Sequence, residues 1–452
     1  MNHFSDQNSP ALAIDTELPL STSRNSVCDT RCDDSTDNAF KLNWAKRTIL
    51  NKLSQIDGGQ IVLDDAGQMI KMGSADHDGF SVRLKVAEES FYRRTLLGGM
   101  IGAAESYIDG DWGTDNLTDL IRIMIRNIDG VSRMERSWAR ARTCLHRIKH
   151  LRNKNTLTGS RKNIQQHYDL GNNFYSLFLD STMNYSAGIF DPEIIAEKFA
   201  DCDSPLHGAS LVKMDRICQK LAIQPTDHVI EIGTGWGGLA IFMAKNYGCS
   251  VTTTTISKEQ HAFARAAVSE AGLEDKVTVL LKDYRALEGR YDKLVSVEMI
   301  EAVGHQFLDT YFTKCNQLLK PTGTMLIQAI LIGQQSYRSY RKGVDFIRAY
   351  VFPGGCLPSA VTLSQSVGRV TSMRMLDYED MTQHYADTLL HWRRSFMDRL
   401  EDVRTQGFDE YFIRLWHFYL CYCEAAFAER RCQSVQIMYA KNLSPIDPTV
   451  VR

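Results

Sequence analysis

Between residues 228 and 330 the chain alternates short apolar or β-branched runs with helical segments, and this alternation constrains its fold more than any other feature. His228-Val-Ile reads as the end of a strand, and Leu-Ala-Ile-Phe-Met-Ala-Lys (239–245) as a helix. Between them lies Glu231-Ile-Gly-Thr-Gly-Trp-Gly-Gly238. Further strands are read at Ser250–Ile256, Lys276–Leu281, Tyr291–Val297 and Gly323–Ile330, with Ser257 placed to cap an Ala-rich helix after the first of these. Such spacing predicts an α/β fold with a doubly wound, mostly parallel sheet. Ligands of these sheets bind beyond the carboxyl ends of the strands, where Glu231, Gln260, Tyr284, Arg285 and Glu301 fall.

The glycines at 233, 235 and 237 let the backbone turn sharply and let a ligand approach main-chain N–H groups. Their Gly-x-Gly-x-Gly spacing differs from the Gly-x-Gly-x-x-Gly of dinucleotide folds, which disfavours a pyrophosphate. Glu231, two positions before the first glycine, suits a ligand carrying positive charge. S-adenosylmethionine, with an amine, a sulfonium and no phosphate, is the better match.

A chain of 452 residues has room for two or three domains, and its net charge of −2 gives no general pull toward nucleic acid. The eleven cysteines are scattered, with neither paired Cys-x-x-Cys sets nor a His/Cys cluster of zinc spacing, so no metal is expected and the usage suits a reducing cytosol. No apolar run approaches a membrane-spanning length.

Residues 1–40 are polar, lack an apolar signal core and read as a disordered tail. Residues 41–130 read as a small N-terminal α+β domain, with strands at 58–65 and 80–86 and helices at 96–108 and 117–127. A basic linker or helix follows over 131–164, where ten Arg or Lys between 133 and 162 meet one acid, Glu135. It is read either as a solvated linker or as a surface for anionic lipid headgroups, while a nucleic-acid site is disfavoured because no matching module accompanies it. Residues 165–452 form the main domain, with a lid insertion at about 333–395 and a strand-like Ser434–Ala440 near the end.

Several motifs occur together in one order: His167-Tyr-Asp-Leu-Gly-Asn-Asn-Phe-Tyr175, Leu179-Asp-Ser-Thr-Met-Asn-Tyr-Ser186, the 231–238 loop, Thr255-Ile-Ser-Lys-Glu-Gln260, Glu301, Phe352-Pro-Gly-Gly-Cys-Leu-Pro-Ser359 and Tyr422-Cys-Glu-Ala-Ala-Phe427. On them the chain, over about 40–445, resembles the cyclopropane-fatty-acyl-phospholipid synthases, whose catalytic domain is class I methyltransferase-like. The resemblance implies transfer of a methylene from S-adenosylmethionine to the cis double bond of an unsaturated phospholipid acyl chain. It implies a carbocation, ring closure by loss of one proton, and a bicarbonate base held by a Cys main chain, a Glu, a His and a Tyr. It implies an enzyme on the inner membrane face, for which a homodimer would suit, with no nucleic-acid partner. A carbocation calls for a dry, aromatic-lined site.

By motif, Tyr185, Ser186, Gly233, Gly235, Ile256, Gln260, Tyr284 and Arg285 would contact the cofactor, beside Glu231 and Gly237 of the loop. Glu301 would be the carboxylate of the base site and Tyr385 its tyrosine. Cys423 matches a cysteine sometimes assigned as catalytic; an alkene needs no thiol nucleophile, and a buried helix-packing role is the commoner one. Two positions depart from the pattern: Ala187 stands where a Cys is usual, and Gln328 where a His is frequent. Gln328 can donate to an anion but cannot carry a proton. These departures motivate an alternative ending, a methyl- or methylene-branched chain or an N-methylated amine; a non-catalytic sensor is a third reading. Glu298 and Glu301, three apart after a strand, also read as acids at a solvated helix start. Trp236 and Phe174 read as core, Tyr175 and Tyr185 as either core or site, and His167 as a hydrogen-bonding partner.

Overall fold

The structure, a computed structural model, describes Leu18 and residues 35–74, 79–127 and 170–446, with side chains from Trp44 onward in the first helix. Most of the expected tail, the basic run at 133–162 and His167 lie outside the described residues.

The N-terminal part is a four-stranded sheet of β1 (Gly59–Asp65), β2 (Gln68–Ser74), β3 (Ser81–Val86) and β4 (Trp112–Thr114), in the order β2-β1-β3-β4. Alternate residues of β1 and β3 point into one core, as a sheet with one covered face requires. β2 was not expected. It pairs antiparallel with β1 through the turn Ala66-Gly67, where both residues have positive φ. Most of β2 is exposed at the sheet edge, so it carries little of the apolar alternation by which strands are read. The helix at Ser90–Ile108 starts six residues earlier than expected and is broken at Gly99 (φ 56°, ψ −142°).

The second sheet has seven strands: β5 (His228–Ile232), β6 (Ser250–Thr255), β7 (Val277–Leu281), β8 (Tyr291–Val297), β9 (Leu319–Ile332), β10 (Arg374–Asp380) and β11 (Cys432–Ala440), in the order β10-β11-β9-β8-β5-β6-β7. β9-β8-β5-β6-β7 are mutually parallel, and β10 and β11 add an antiparallel edge. The strand order changes sense between β8 and β5, so a crevice opens beyond the carboxyl end of β5. Neighbouring helices have local start signals. Ser204 caps Pro205–Lys220 by accepting from His207 N, with Pro205 in the first turn, and Ser257 caps Lys258–Glu270 by accepting from Gln260 N; each such cap is worth about 1 kcal/mol.

The span 333–395 is not a single inserted lid. Its first half holds the helix Gln334–Lys342 and a π-helical turn at Ile347–Val351, but its second half supplies β10 and most of the helix Thr382–Asp398, which packs along Glu410–Ala428. β10 escaped the sequence reading because Arg-Met-Leu-Asp-Tyr-Glu-Asp is a half-exposed edge strand rich in charge.

The helix Glu410–Ala428 joins the two parts. It packs against Leu117–Arg126 and Ser90–Ile108, and one hydrophobic core runs through all three. Polar ties reinforce the seam. Tyr107 Oη lies 2.8 Å from His417 Nδ1, and Arg414 donates to the carbonyls of Tyr107 (2.6 Å) and Trp112 (3.0 Å). Glu424 accepts from Arg393 Nε (2.7 Å) and Thr118 Oγ1 (3.2 Å).

Candidate active site

The carboxyl ends of β5 to β9 and the helix Glu410–Ala428 enclose a cavity of about 1180 Å³. It exceeds the usual range of about 300–1,000 Å³ for a single ligand pocket. It continues between the two parts of the protein, where Leu53, Phe91, Leu96, Met100, Leu120 and Met124 give it an apolar floor.

The glycine loop forms one end. Gly233, Gly235 and Gly237 have φ of 107°, 54° and 95°, a region that favours glycine. The N–H groups of Gly233 and Thr234 donate to the Thr254 carbonyl (3.0 and 3.1 Å), which ties the loop to β6. A Cβ on Gly235 would meet nothing within 4 Å, because this residue faces open space. Gly237, expected at the ligand, does not reach the cavity wall; it opens the following helix and lies against Ala264, while Gly238 lines the cavity. Of the other expected contacts, Tyr185, Ser186, Glu231, Ile256, Gln260, Tyr284 and Arg285 all line the cavity. Gln260 is held by Thr255, whose Oγ1 donates to Gln260 Oε1 at 2.9 Å. Arg285 is committed to Asp283 through Nε (2.8 Å) and Nη2 (2.7 Å), a partner that the sequence reading passed over.

Glu231, 2 % exposed, has its Oε2 without a hydrogen-bond partner at this wall. Burial pushes its carboxyl up to about 8. An orphaned acid beside three left-handed glycines fits a ligand that brings its own positive charge and hydrogen-bond donors, as S-adenosylmethionine does. Lys213, also passed over, is buried on Pro205–Lys220 and donates to Asn184 Oδ1 and Ser186 Oγ, both at 3.0 Å. Desolvation pulls its ammonium down to about 8, and Glu298, Asp180 and Glu231 oppose that shift. Its sequence signal was a lysine on the same helix face as Ala209, Val212 and Ile217, all buried.

The expected base site is rearranged. Glu301 lines the cavity, but its Oε1 accepts from Ile330 N at 2.6 Å and its Oε2 has no partner. Burial, and then the neighbouring Glu298, push its carboxyl up to about 8. Tyr385, Gln328 and Ala187 converge on Glu298 instead. Glu298 Oε1 accepts from Gln328 Nε2 (2.9 Å) and Ala187 N (3.0 Å), and Oε2 accepts from Tyr385 Oη (2.7 Å). Glu298 therefore replaces Glu301 at the centre of the site, and it is no solvated helix start. Gln328, fully buried on β9, lies behind Glu298 rather than on the cavity wall. The three donors are already filled by a carboxylate, so the residues do not fit a bicarbonate held by the same groups.

Aromatic rings extend from Tyr385 and line the same cavity. Tyr385 stacks on Phe427 at 4.3 Å, Tyr185 packs against Trp392 at 5.0 Å, and Tyr185 Oη lies 2.7 Å from Tyr419 Oη. Cys423 is on the wall, where burial raises its thiol well above the usual range, so it stays neutral. Phe174 is core, as expected, and Tyr175 is too, packed between Trp236 and Tyr185, whereas Trp236, also buried, lines the cavity.

Residues 155–437 match the family described as mycolic acid cyclopropane synthetase. The chain is 38% identical over 342 residues to a tuberculostearic acid methyltransferase of Mycobacterium tuberculosis, covering 75% of this chain and 78% of that one. It is 34% identical over 385 residues to a cyclopropane-fatty-acyl-phospholipid synthase of Escherichia coli, covering 84% and 92%. Among solved structures, a mycolic acid cyclopropane synthase complexed with SAH and CTAB superposes with a TM-score of 0.56 at 26% identity, over 62% of this chain and 98% of that one.

Proposed function

This chain belongs to the mycolic acid cyclopropane synthetase family, S-adenosylmethionine-dependent methyltransferases of lipids, and on that premise we propose that it cyclopropanates the cis double bond of unsaturated phospholipid acyl chains. The observation that carries this reading is the continuity of the cavity. One cavity is lined by polar groups at the glycine loop, by aromatic rings of the helix Glu410–Ala428 and by apolar side chains of the N-terminal part, which suits a charged methyl donor meeting a long hydrocarbon chain.

When bound, S-adenosylmethionine supplies an electrophilic methyl group. Glu231, Gln260 and the main chain around Gly233 and Gly235 would hold it, with Tyr185 and Ser186 also lining the cavity. The chain's own residues do the rest. Leu53, Leu96 and Met100 keep water from the acyl chain. The faces of Tyr185, Tyr385 and Phe427 stabilise the positive charge left on the alkene carbon after methyl transfer. One base must then take a proton from the added carbon for the ring to close.

A second ending is favoured by Ala187 and Gln328, the two departures from the family pattern. Under it the cation does not close a ring: either a hydride shifts from the methylated carbon to the cationic one and the added methyl then loses a proton, giving a methylene branch, or a neighbouring chain carbon loses the proton, giving a methyl-branched alkene. The phospholipid is presented at a membrane surface; no described helix is long and apolar enough to cross one.

The test is incubation with methyl-labelled S-adenosylmethionine and vesicles of cis-unsaturated phospholipid, followed by mass spectrometry and proton NMR of the acyl products. One added CH2 with upfield ring protons is expected. One added carbon as a branch replaces the first ending by the second, and absence of transfer removes both.

A further inference from the structure

We propose that Glu298 is the base of this reaction, a carboxylate built into the chain that stands where the family resemblance puts a bound bicarbonate. The inference rests on the lipid-methylation reading above and adds to it the identity of the proton acceptor.

Three observations carry it. First, the donor set that would hold a small oxyanion is complete and closed on Glu298: the Ala187 main-chain N–H, Gln328 Nε2 and Tyr385 Oη. Gln436 fixes which way the Gln328 amide points, because its Nε2 donates to Gln328 Oε1 at 3.1 Å and leaves the Gln328 nitrogen for the carboxylate. Second, Glu298 stands at the wall of the reaction cavity, in contact with Tyr385 and on a lining that Tyr185 shares. Its titratable neighbours are Lys213, Glu301 and Tyr385. Burial raises the Glu298 carboxyl, while Gln328, Ala187, Tyr385 and Lys213 pull it back down. A second anion beside it would meet repulsion from Glu298, and the Ala187, Gln328 and Tyr385 donors are already given to that carboxylate. Third, Glu298 has φ of 49°, a left-handed backbone that a glutamate rarely adopts. Strain of this kind persists where surrounding contacts impose it, and such positions cluster at functional sites.

The step balances without another reagent. The π pair of the double bond forms the bond to the transferred methyl carbon, whose former bonding pair stays on sulfur, and the adjacent chain carbon becomes cationic. A C–H bond of that methyl then breaks. Its electron pair closes the third ring bond, and its proton passes to the Glu298 carboxylate and to solvent after product leaves. Gln328, Gln436 and Tyr385 are positioning residues for that carboxylate.

The test compares wild type, Glu298→Gln and Glu298→Gly in bicarbonate-depleted buffer with and without added bicarbonate. Glu298→Gly should fold readily, because glycine accepts the left-handed backbone. Product formation by wild type is expected to be indifferent to bicarbonate. Glu298→Gln is expected to lose about 100-fold or more in kcat while S-adenosylhomocysteine binding, followed by calorimetry, is unchanged. Glu298→Gly is expected to regain product as bicarbonate is added. In parallel, carbon-13 NMR of labelled bicarbonate is expected to show saturable binding to Glu298→Gly and none to wild type. Bicarbonate-dependent turnover in wild type, saturable bicarbonate binding by wild type, or an active Glu298→Gln would each overturn the proposal. Absence of methyl transfer by wild type strikes the lipid-methylation reading instead, and the NMR comparison still decides whether Glu298 fills the anion position.

Discussion

Glu298 and Glu301 are separated by one helical turn in sequence, yet only Glu298 receives the Tyr385 hydroxyl. Composition and spacing treat the two alike. What separates them is the positive φ at Glu298, which swings its side chain toward β9 and the Ala187 main chain and is not written in any local pattern. Lys213 was within reach of the sequence, since a lysine on an apolar helix face asks for a partner; Asp283, one residue before two named site residues, was nearer still. Tyr385→Phe is expected to lower kcat about tenfold to a hundredfold, from a charged hydrogen bond worth about 1.5–3 kcal/mol. Because that bond favours the ionised carboxylate, its loss should move the acidic limb of the kcat–pH profile to higher pH. Glu301 gives a separate test through stability. Its folded carboxyl, raised to about 8, binds a proton more tightly than the unfolded chain does. Its contribution is present below about pH 4.5 and fades as pH rises toward 8. Thermal unfolding of Glu301→Gln should therefore gain on wild type between pH 5 and pH 8.

Elements were legible in proportion to how fully they are buried. The central strands β5, β6 and β8 read correctly because parallel strands covered on both faces are nearly continuous apolar or β-branched runs. β2 and β10 lie at sheet edges, where solvent accepts polar residues and the pattern fades. The glycine loop was legible as a turn, but the division of labour among its glycines was not. Gly235 faces the cavity, whereas a Cβ on Gly238 would sit 2.5 Å from the Thr182 carbonyl oxygen. Gly235→Ala should therefore cost only the left-handed strain in stability, about 1–3 kcal/mol, and a larger share in S-adenosylhomocysteine affinity. Gly238→Ala should unfold at markedly lower temperature, because a backbone carbonyl cannot step aside. Calorimetry of binding and of unfolding on the same two variants checks both statements.

At the scale of the whole molecule the helix Glu410–Ala428 has two duties. One face is gripped by the N-terminal part through Arg414, His417 and Glu424, and another presents Tyr419 and Cys423 to the cavity. Glu424→Ala would remove the carboxylate to which Arg393 Nε donates at 2.7 Å, and breaking a buried pair costs about 3–5 kcal/mol. Denaturant unfolding should show that loss, together with a weaker hold of the N-terminal part. Sequence anticipated two parts but not their seam, because residues about 300 positions apart share no local periodicity.

The cavity wall contributed by Phe91, Leu96, Met100 and Leu120 has a consequence for chemical fidelity. Under the proposed reaction that wall keeps water from a cation held on the rings of Tyr185, Tyr385 and Phe427, and a cation that met water would be quenched as an alcohol. Opening the wall, for instance by Leu96→Ala together with Leu120→Ala, should therefore leak product into a methylated, hydroxylated acyl chain, whose share of the lipid extract is a direct measure of how well the two halves of the protein keep each other dry.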